Sequence, residues 1–412
     1  LLVLSNGHGE DLIALRVLEA LHRRCPQVQI AVLPLVGDGA AYRAAEAAGH
    51  LQRVGPRRAL PSGGFSNQSL RGLCSDLLAG VLGLSWRQWR LVRRWGRSGE
   101  PVLAVGDLLP LLLAWGSGSP YGFIGTPKSD YTWASGPGRA WLADGYHRLK
   151  ASEWDPWEWA LMARPRCRLV ALRDRLTARG VQRHGVAALA PGNPMMDGLT
   201  AEPLPEALLQ RRCLLLLGGS RMPEALGNLE RLLAALALLS SAESLLVLAP
   251  CGSQPSPQQW GPLLQGLGYS PTAVPPGTGA AAAWVRGAAL LLVGPGRFAA
   301  WAAHAEVGLA AAGTATEQVV GLGIPALSLP GPGPQFKLGF ARRQSRLLGG
   351  AVAVCATPQR LAQRLQLLLA EPQLRAALGA IGRRRMGPAG GSEALARLLE
   401  QRLLSSPGGE AG

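Results

Sequence analysis

The stretch CLLLLGGSRMPEALGNLERLLAALALL, residues 213–239, decides the fold because it joins three signals in order. A short apolar run indicates a buried strand, two glycines indicate a turn, and leucines then recur at helical spacing. The same order recurs along the chain. Its other apolar runs are LLVL (1–4), QIAVLPLV (29–36), PVLAVGD (101–107), SLLVLAP (244–250), AALLLVG (288–294) and PALSLP (325–330). Continuous apolar strands that alternate with helices predict an α/β protein with parallel sheets covered on both faces.

The length of 412 residues allows two ordinary domains. A polar, Pro-containing stretch precedes the strand that begins at Cys213, which puts the predicted boundary near residues 195–212. We therefore predict two Rossmann-like doubly wound domains, residues 1–200 and 210–400, that face a central cleft. Such sheets bind ligands at the carboxyl ends of their strands, so the cleft is the expected site.

The formal net charge is +16, and nearly all of the basic excess is Arg. This suits a polyanionic partner such as an anionic lipid or a phosphorylated substrate, although a general preference for Arg would give the same charge. No stretch resembles a nucleic-acid-binding motif, so we expect no nucleic-acid partner. Neither a run of ~18 apolar residues nor a basic leader segment occurs, so we expect no membrane span and no signal peptide.

The cysteines show no metal-ligand spacing, which predicts reduced thiols, a reducing compartment and no metal site. They are Cys25, Cys74, Cys167, Cys213, Cys251 and Cys355.

The turn after the strand at 213–217 is the first candidate for anion binding. Gly219 allows backbone N–H groups to approach a phosphate at the start of the following helix, expected near Pro223. Ser220 and Arg221 come next, and Arg221 could contact a diphosphate with two hydrogen bonds. The alternative is an ordinary strand–turn–helix connection with Ser220 as the N-cap.

The segment AAGTATEQVVGLGIPALSLPGPGPQF, residues 311–336, presents a second turn of this kind. Gly313 and Thr314 follow an apolar run, and Glu317 lies one turn further on, where a carboxylate could accept hydrogen bonds from ribose hydroxyls. The alternative is a capping box formed by Thr314 and Glu317. We count the intervening residues and two residues of the Pro-rich loop, which could meet a base, among the substrate-binding candidates. They are Ala315, Thr316, Gln335 and Phe336.

The first loop, SNGHGEDL, places acidic residues at the carboxyl end of the first strand. Its candidate substrate-binding residues are Gly7, His8 and Gly9, and its candidate catalytic residues are Glu10 and Asp11. The acids could instead complement the helix dipole. Asp107 ends a second strand and is a candidate general base, or alternatively the N-cap of the next helix. The loop lacks the G-x-G-x-x-G pattern, so we predict no nicotinamide cofactor.

The segment SWRQWRLVRRWGR, from Ser85 to Arg97, interleaves Trp with Arg. That composition suits the headgroup region of an anionic bilayer. The alternative is a solvated basic helix whose Trp residues pack in the core, which would have the same composition. The segment YGFIGTPKSDYTW (121–133) is predicted to be a loop. Its residues Lys128, Asp130 and Tyr131 could touch an acceptor.

Several of these motifs, taken in order, resemble lipid-A-disaccharide synthases. GGSRMPEALGNLERLLAAL (218–236) is similar to the strand–Gly-Ser-Arg–helix that opens the donor domain of that family. QRHGVAALAPGNPMMDGL (182–199) is similar to the end of its first domain, and AAGTATEQVVGLGIPALSLP (311–330) to its Ser-Gly-Thr-Ala-Thr-Leu-Glu region. VLAVGDLLPLLLA (102–114) resembles the segment that carries the proposed catalytic Asp, which corresponds to Asp107.

The resemblance implies a glycosyltransferase-B fold, a UDP-sugar donor, no metal or other cofactor, and a cytoplasmic protein associated with the inner face of the membrane. It implies that Ser220 and Arg221 serve the diphosphate, and that Gly313, Thr314 and Glu317 serve the phosphate and ribose. Gln335, in the Pro-rich loop, resembles the donor-binding Gln of the related undecaprenyl-sugar N-acetylglucosaminyltransferases.

The expected function is therefore transfer of a sugar, of the UDP-N-acetylglucosamine type, to a lipid-linked acceptor. The family has Gly-Glu-x-Ser-Gly-Asp in its first loop, whereas this chain has GHGEDL, and residues 56–80 do not resemble the family. Two alternatives therefore stay open. One is an enzyme like UDP-N-acetylglucosamine 2-epimerase, and the other is a nucleotide-sugar-binding protein without catalysis.

Overall fold

The computed structural model describes residues 1–56, 81–138, 141–239, 244–252, 254–331 and 336–405. The chain forms two compact units, each with its own sheet. The first contains Leu1–Asp130, Leu142–Asp197 and Ala389–Gly412, and the second contains Tyr131–Trp141 and Gly198–Pro388.

The first unit is built on a seven-stranded sheet in which every pairing is parallel. Its strands are β1 (Leu2–Ser5), β2 (Ala31–Pro34), β3 (Gln52–Arg53), β4 (Val102–Gly106), β5 (Tyr121–Gly125), β6 (Cys167–Leu172) and β7 (Ala188–Leu189). The order β3-β2-β1-β4-β5-β6-β7 is that of a doubly wound sheet. Strands β1, β4 and β5 are buried along their whole length, which explains their continuous apolar sequences.

Helices cover the sheet of the first unit. They are His8–Arg24, Arg43–Ala47, Val81–Gly96, Leu108–Ser117, Trp141–Lys150, Pro156–Met162, Arg175–Gln182 and Gly391–Leu399, with short turns of helix at Ala40–Tyr42, Pro194–Met196 and Glu400–Leu404.

The second unit has an eight-stranded sheet in the order β10-β11-β12-β9-β8-β13-β14-β15. Its strands are β8 (Arg212–Leu217), β9 (Leu245–Cys251), β10 (Ser270–Thr272), β11 (Ala282–Arg286), β12 (Ala289–Pro295), β13 (Val307–Ala310), β14 (Ala326–Ser328) and β15 (Val352–Val354). The pairings of β10 with β11 and of β11 with β12 are antiparallel, and the others are parallel. The antiparallel edge was not predicted from the sequence.

The helices of the second unit pack on both faces of its sheet. They are Tyr131–Ala134, Glu206–Leu209, Glu224–Leu236, Pro257–Gly266, Phe298–Ala302, Thr314–Gly321, Leu338–Leu347, Pro358–Ala370 and Pro372–Met386.

The end of the chain returns to the first unit. The sequence-based prediction of a single boundary near residues 195–212 did not foresee this return. The Asp197 carboxylate accepts hydrogen bonds from the backbone N–H groups of Gly390 (2.5 Å) and Ser392 (2.7 Å), at the start of the last helix. Arg24 on the first helix pairs with Glu400 at 2.6 Å. These contacts attach the start of the last helix, and the turn that follows it, to other parts of the first unit.

The prediction of two doubly wound α/β units is confirmed. The prediction of a loop at 121–133 is wrong for residues 121–125 and for residues 131–133, which begin the helix Tyr131–Ala134. Tyr121–Gly125 is the buried strand β5. A Cβ at Gly122 would lie 3.2 Å from the Leu403 side chain, and one at Gly125 would lie 2.7 Å from the Trp154 ring. Glycines occur in this strand because distant residues occupy the space of their side chains.

Candidate functional site

The first candidate site lies at the carboxyl ends of the neighbouring strands β1 and β4. The crossovers leave these two strands in opposite directions across the sheet, which makes this the topological switch point where such sheets bind ligands. Strand β1 leads through Asn6 and Gly7 into the helix that begins at His8, and β4 leads into Asp107. Gly9 is half-buried in the first turn of that helix, while the side chain of His8 lies outside the described residues.

Asp107 is the N-cap of the helix Leu108–Ser117, as one of its two predicted roles required. Its Oδ1 accepts a hydrogen bond from the Leu109 backbone N–H (3.2 Å) and a second from Asn6 Nδ2 (2.8 Å). Burial raises the pKa of the Asp107 carboxyl, while these hydrogen bonds and the positive charge of Lys128 act in the opposite direction. Both hydrogen-bond donors use one oxygen, so the cap does not occupy Oδ2.

Glu10 adds a second carboxyl to this site. Burial raises the pKa of Glu10 to about 7, and the charges of Asp107 and Asp11 add to the rise against a backbone hydrogen bond that lowers it. The glycine at position 106 allows the close approach, because a Cβ there would lie 3.4 Å from Glu10 Cγ and 3.2 Å from Asn6 Cβ. Glu10 therefore exchanges a proton near neutral pH, as a general acid or base must.

Asp11 is buried in a closed polar network. It accepts a hydrogen bond from Ser5 Oγ (2.5 Å), which in turn accepts one from the Tyr42 hydroxyl (2.9 Å). Burial raises the pKa of Asp11 to about 6, against the hydrogen bonds from Ser5 and from backbone. At 3% exposure, Asp11 is suited to holding the first turn of its helix in place.

The second candidate site is formed by two turns in the second unit. Strand β8 ends at Leu217 and is followed by Gly219, which has a φ of 89° that favours glycine. Strand β13, the parallel neighbour of β8, is followed by the turn at Gly313. A Cβ on Gly219 would lie 3.2 Å from the carbonyl oxygen of Ala311. The two turns identified in the sequence therefore touch.

Ser220 is not the N-cap of its helix, which begins at Glu224 with Pro223 as the N-cap. That alternative is therefore wrong, while the expected helix start near Pro223 is correct. Ser220 is exposed, and Arg221 is half-buried beside it. Burial lowers the pKa of Arg221, and the carboxylate of Glu224 opposes that change.

The capping box predicted for Thr314 and Glu317 does not form. The N-cap is Gly313, without a side-chain hydrogen bond, and Thr314 is the first helical residue. Thr316 turns inward and donates its hydroxyl to the Ala312 carbonyl at 2.6 Å. Thr314, Ala315 and Glu317 are half-buried on this turn.

Of the two candidate residues in the loop that follows β14, the structure describes only Phe336. Gln335 lies outside the described residues. Phe336 is 5% exposed and packs edge-on against Phe340, with ring centroids 5.5 Å apart, so its ring belongs to the core.

Two amides that the sequence did not single out support the turns. Asn228 donates to the Gly218 carbonyl at 3.2 Å, and Gln344 donates to the Gly313 carbonyl at 2.9 Å. Asn228 lies within the motif 218–236 without a signal of its own, and Gln344 lies in none of the motifs, so only their contacts reveal them.

The Trp/Arg segment lies mostly in the helix Val81–Gly96. Gln88 and Val92 face inward, whereas Trp86 (58% exposed) and Trp89 (36% exposed) stack on each other in solvent with ring centroids 5.0 Å apart. Its arginines are exposed. The adjoining helix Leu108–Ser117 exposes Leu109, Leu112 and Trp115. The name Trp/Arg face is used below for the arginines of residues 85–97 together with the five exposed side chains Trp86, Trp89, Leu109, Leu112 and Trp115.

The three acceptor candidates in the segment 121–133 are engaged in other contacts. Lys128 forms ion pairs with Glu158 (2.5 Å) and Asp155 (3.3 Å). Asp130 is buried and accepts a hydrogen bond from the Glu153 backbone N–H at 2.6 Å. Tyr131 lies under the Arg385 guanidinium, 4.0 Å from the ring centroid.

Among the described residues, no group of three or more His, Cys, Asp or Glu side chains is arranged to hold a metal ion. Five cysteines there are free thiols, and Cys74 lies outside that part of the chain. No helix in the described ranges is long and apolar enough to cross a bilayer.

Comparison with known proteins shows that the chain is similar to solved structures in its fold. No family model matches the chain. No curated protein matches its sequence. MurG of Acinetobacter baumannii has a TM-score of 0.55 at 16% identity, covering 97% of this chain and 99% of that one. UDP-GlcNAc 2-epimerase from Neisseria meningitidis bound to UDP-GlcNAc has a TM-score of 0.54 at 14% identity, with the same coverage.

Spinosyn forosaminyltransferase SpnP has a TM-score of 0.52 at 18% identity, covering 97% of this chain and 98% of that one. At such low identities the likeness concerns the fold. It confirms the predicted class, two Rossmann-like domains of the glycosyltransferase-B type.

Proposed function

We propose that this protein is a glycosyltransferase that moves a sugar from a UDP-sugar, of the UDP-N-acetylglucosamine type, to a lipid-linked acceptor, as lipid-A-disaccharide synthases do. In this proposal residues 1–200 serve the acceptor and residues 210–400 serve the donor. One observation supports a catalytic role rather than binding alone, namely the pair of carboxyl groups of Glu10 and Asp107. Both acids are half-buried, have raised pKa values and lie at a topological switch point.

The donor half of the proposal rests on the two touching turns. Gly219 and Gly313 each precede a helix, whose N-terminal N–H groups and dipole favour a diphosphate. Arg221 would add a positive charge, and Glu317 would accept hydrogen bonds from ribose hydroxyls. One structural neighbour supports this choice of ligand, since it is a UDP-GlcNAc 2-epimerase bound to UDP-GlcNAc.

The chemical step follows from these groups. Asp107 takes the proton of the acceptor hydroxyl, and the hydroxyl oxygen forms a bond to the anomeric carbon of the sugar. The bond from that carbon to the diphosphate breaks, and UDP leaves with its electron pair. Backbone N–H groups and Arg221 stabilise the negative charge that develops on the diphosphate. Glu10, with a pKa of about 7, can hold a proton beside Asp107 at neutral pH.

The lipid half of the proposal rests on the Trp/Arg face. Exposed indole rings flanked by arginines suit the boundary between headgroups and acyl chains of an anionic bilayer. Exposed apolar side chains on the adjoining helix extend the surface beyond the segment 85–97. A protein that rests on this face would meet its acceptor in the membrane surface.

The second candidate is a UDP-N-acetylglucosamine 2-epimerase, favoured by the structural likeness to that enzyme. The third is a binding protein without catalysis, for which the altered first loop is the reason. An epimerase needs no acceptor and no lipid. Any turnover separates the first two candidates from the third.

Ligand binding can be tested by thermal-shift titration with UDP, UDP-N-acetylglucosamine, UDP-glucose and UDP-galactose. We expect a rise in melting temperature that Glu317→Ala reduces. Glu230→Ala, an exposed change in the same unit, serves as the control. No shift with any ligand would refute the donor assignment.

The best donor is then incubated with and without anionic lipid extracts. Sugar transferred to lipid supports the glycosyltransferase. A change of sugar configuration without lipid identifies the epimerase instead.

A further inference from the structure

Gln344 lies in the helix Leu338–Leu347, with its side chain against the turn at Gly313. The residue is 3% exposed. Its Nε2 donates to the carbonyl oxygens of Gly313 (2.9 Å) and Ala312 (3.4 Å). We propose that Gln344 is a positioning residue, which fixes these two peptide planes so that the turn presents N–H groups to a phosphate. This inference rests on the proposed function, because it concerns the donor diphosphate.

The geometry of the peptide unit carries the argument. In a trans peptide the C=O and the following N–H point in opposite directions across one plane. When Gln344 holds the carbonyls of Ala312 and Gly313 on its own side, the N–H groups of Gly313 and Thr314 are directed to the other side. One buried amide thus contacts both peptide planes.

Other hydrogen bonds hold the same two carbonyl groups in the same orientation. The Gly313 carbonyl also accepts from the backbone N–H groups of Thr316 (3.1 Å) and Glu317 (3.3 Å), and the Ala312 carbonyl accepts from Thr316 Oγ1 (2.6 Å). Gln344 adds the contact that reaches this turn from another helix. It thereby ties the orientation of the turn to the packing of the helix Leu338–Leu347.

The second observation is an unmatched acceptor. Gln344 Oε1 is buried and has no hydrogen-bond partner among the residues that the structure describes, whereas buried polar atoms are nearly always satisfied. Rotating the amide would give Oε1 two carbonyl oxygens as neighbours, so the carbonyls themselves fix its orientation. The donor end of this amide is thus committed to the turn at Gly313, which precedes the helix Thr314–Gly321.

The test compares a ligand that has phosphates with one that lacks them. Gln344→Leu keeps most of the side-chain volume and removes the donor. Binding of UDP is measured by isothermal titration, and binding of uridine by ligand-observed NMR. We expect UDP to bind about 10- to 100-fold more weakly to the variant, with uridine unchanged, since charge-assisted contacts to the phosphate are lost.

Gln182→Leu is the matched control, because Gln182 is also an amide that donates to a backbone carbonyl, that of Ala188 at 2.7 Å, in the other unit. It should leave both ligands unaffected. If Gln344→Leu does not fold, Gln344→Met provides the same comparison with a neutral, unbranched side chain of similar length that has no hydrogen-bond donor.

Equal weakening of UDP and uridine, or no change in either, would overturn the inference and leave the donor assignment intact. Failure of the unaltered protein to bind UDP would overturn both. Selective loss of UDP binding supports the positioning role, which a purely structural effect would not produce.

Discussion

Replacing Glu10 by Gln should stabilise the first unit at pH 8 and much less at pH 5. Burial raises the pKa of Glu10 from an ordinary 4.5 to about 7, so the fold favours the protonated carboxyl. The stability that this proton contributes is fully present below pH 4.5 and is lost as the pH rises through 7. Gln imitates the protonated state at every pH, so the variant avoids that loss.

The magnitude follows from the two pKa values. A pKa of 4.5 in the unfolded chain and about 7 in the fold corresponds to a difference of about 2.5 kcal/mol between the effects at pH 8 and pH 5. For a unit of this size that amounts to about 5–10 °C in melting temperature. The repulsion from Asp107 and Asp11 is one cause of the raised pKa, so this difference already includes it.

Differential scanning calorimetry of both proteins at pH 5 and pH 8 measures the effect. Glu19→Gln is the control, because Glu19 is exposed on the same helix and the same chemical change should alter stability little and equally at both pH values. If Glu10→Gln gives the same shift in melting temperature at pH 5 as at pH 8, the carboxyl is ionised in the fold and our reasoning about its proton is wrong.

Three further predictions concern the base, the Trp/Arg face and helix packing. Asp107→Asn keeps an oxygen for the helix cap, and turnover should fall ~10²–10⁴-fold with UDP binding intact; near-normal turnover would remove Asp107 from the mechanism. Replacing Trp86 and Trp89 together by Ala should weaken binding to anionic vesicles about tenfold in co-sedimentation, and unchanged binding would exclude this face. Gly382→Ala would place a methyl group against a carbonyl of the helix Thr314–Gly321, so it should lower the free energy of unfolding, measured in urea, by about 1–3 kcal/mol. The control Gly227→Ala, at a helical glycine with open space around it, should not lower that free energy.

The turns were predictable because their signals are local. Gly219 and Gly313 each follow an apolar run and precede a helical pattern, and neighbouring parallel strands necessarily end at the same edge of the sheet. Strand β5 was missed for the opposite reason. Its two glycines look like a loop, and their meaning depends on Leu403 and Trp154, which lie far away in the sequence.

By itself, the sequence determined the alternation of buried strands and helices, the two sheets, and the acidic or glycine-containing residues that follow particular strands. These properties depend on hydrophobic periodicity and turn chemistry within about ten residues of the chain. Only the tertiary structure decided that Glu10 carries a proton near neutral pH, that Gln344 holds the Gly313 turn, and that the last helix returns to the first unit. Burial of a carboxyl and the partner of an amide arise between residues distant in sequence, so no local pattern encodes them.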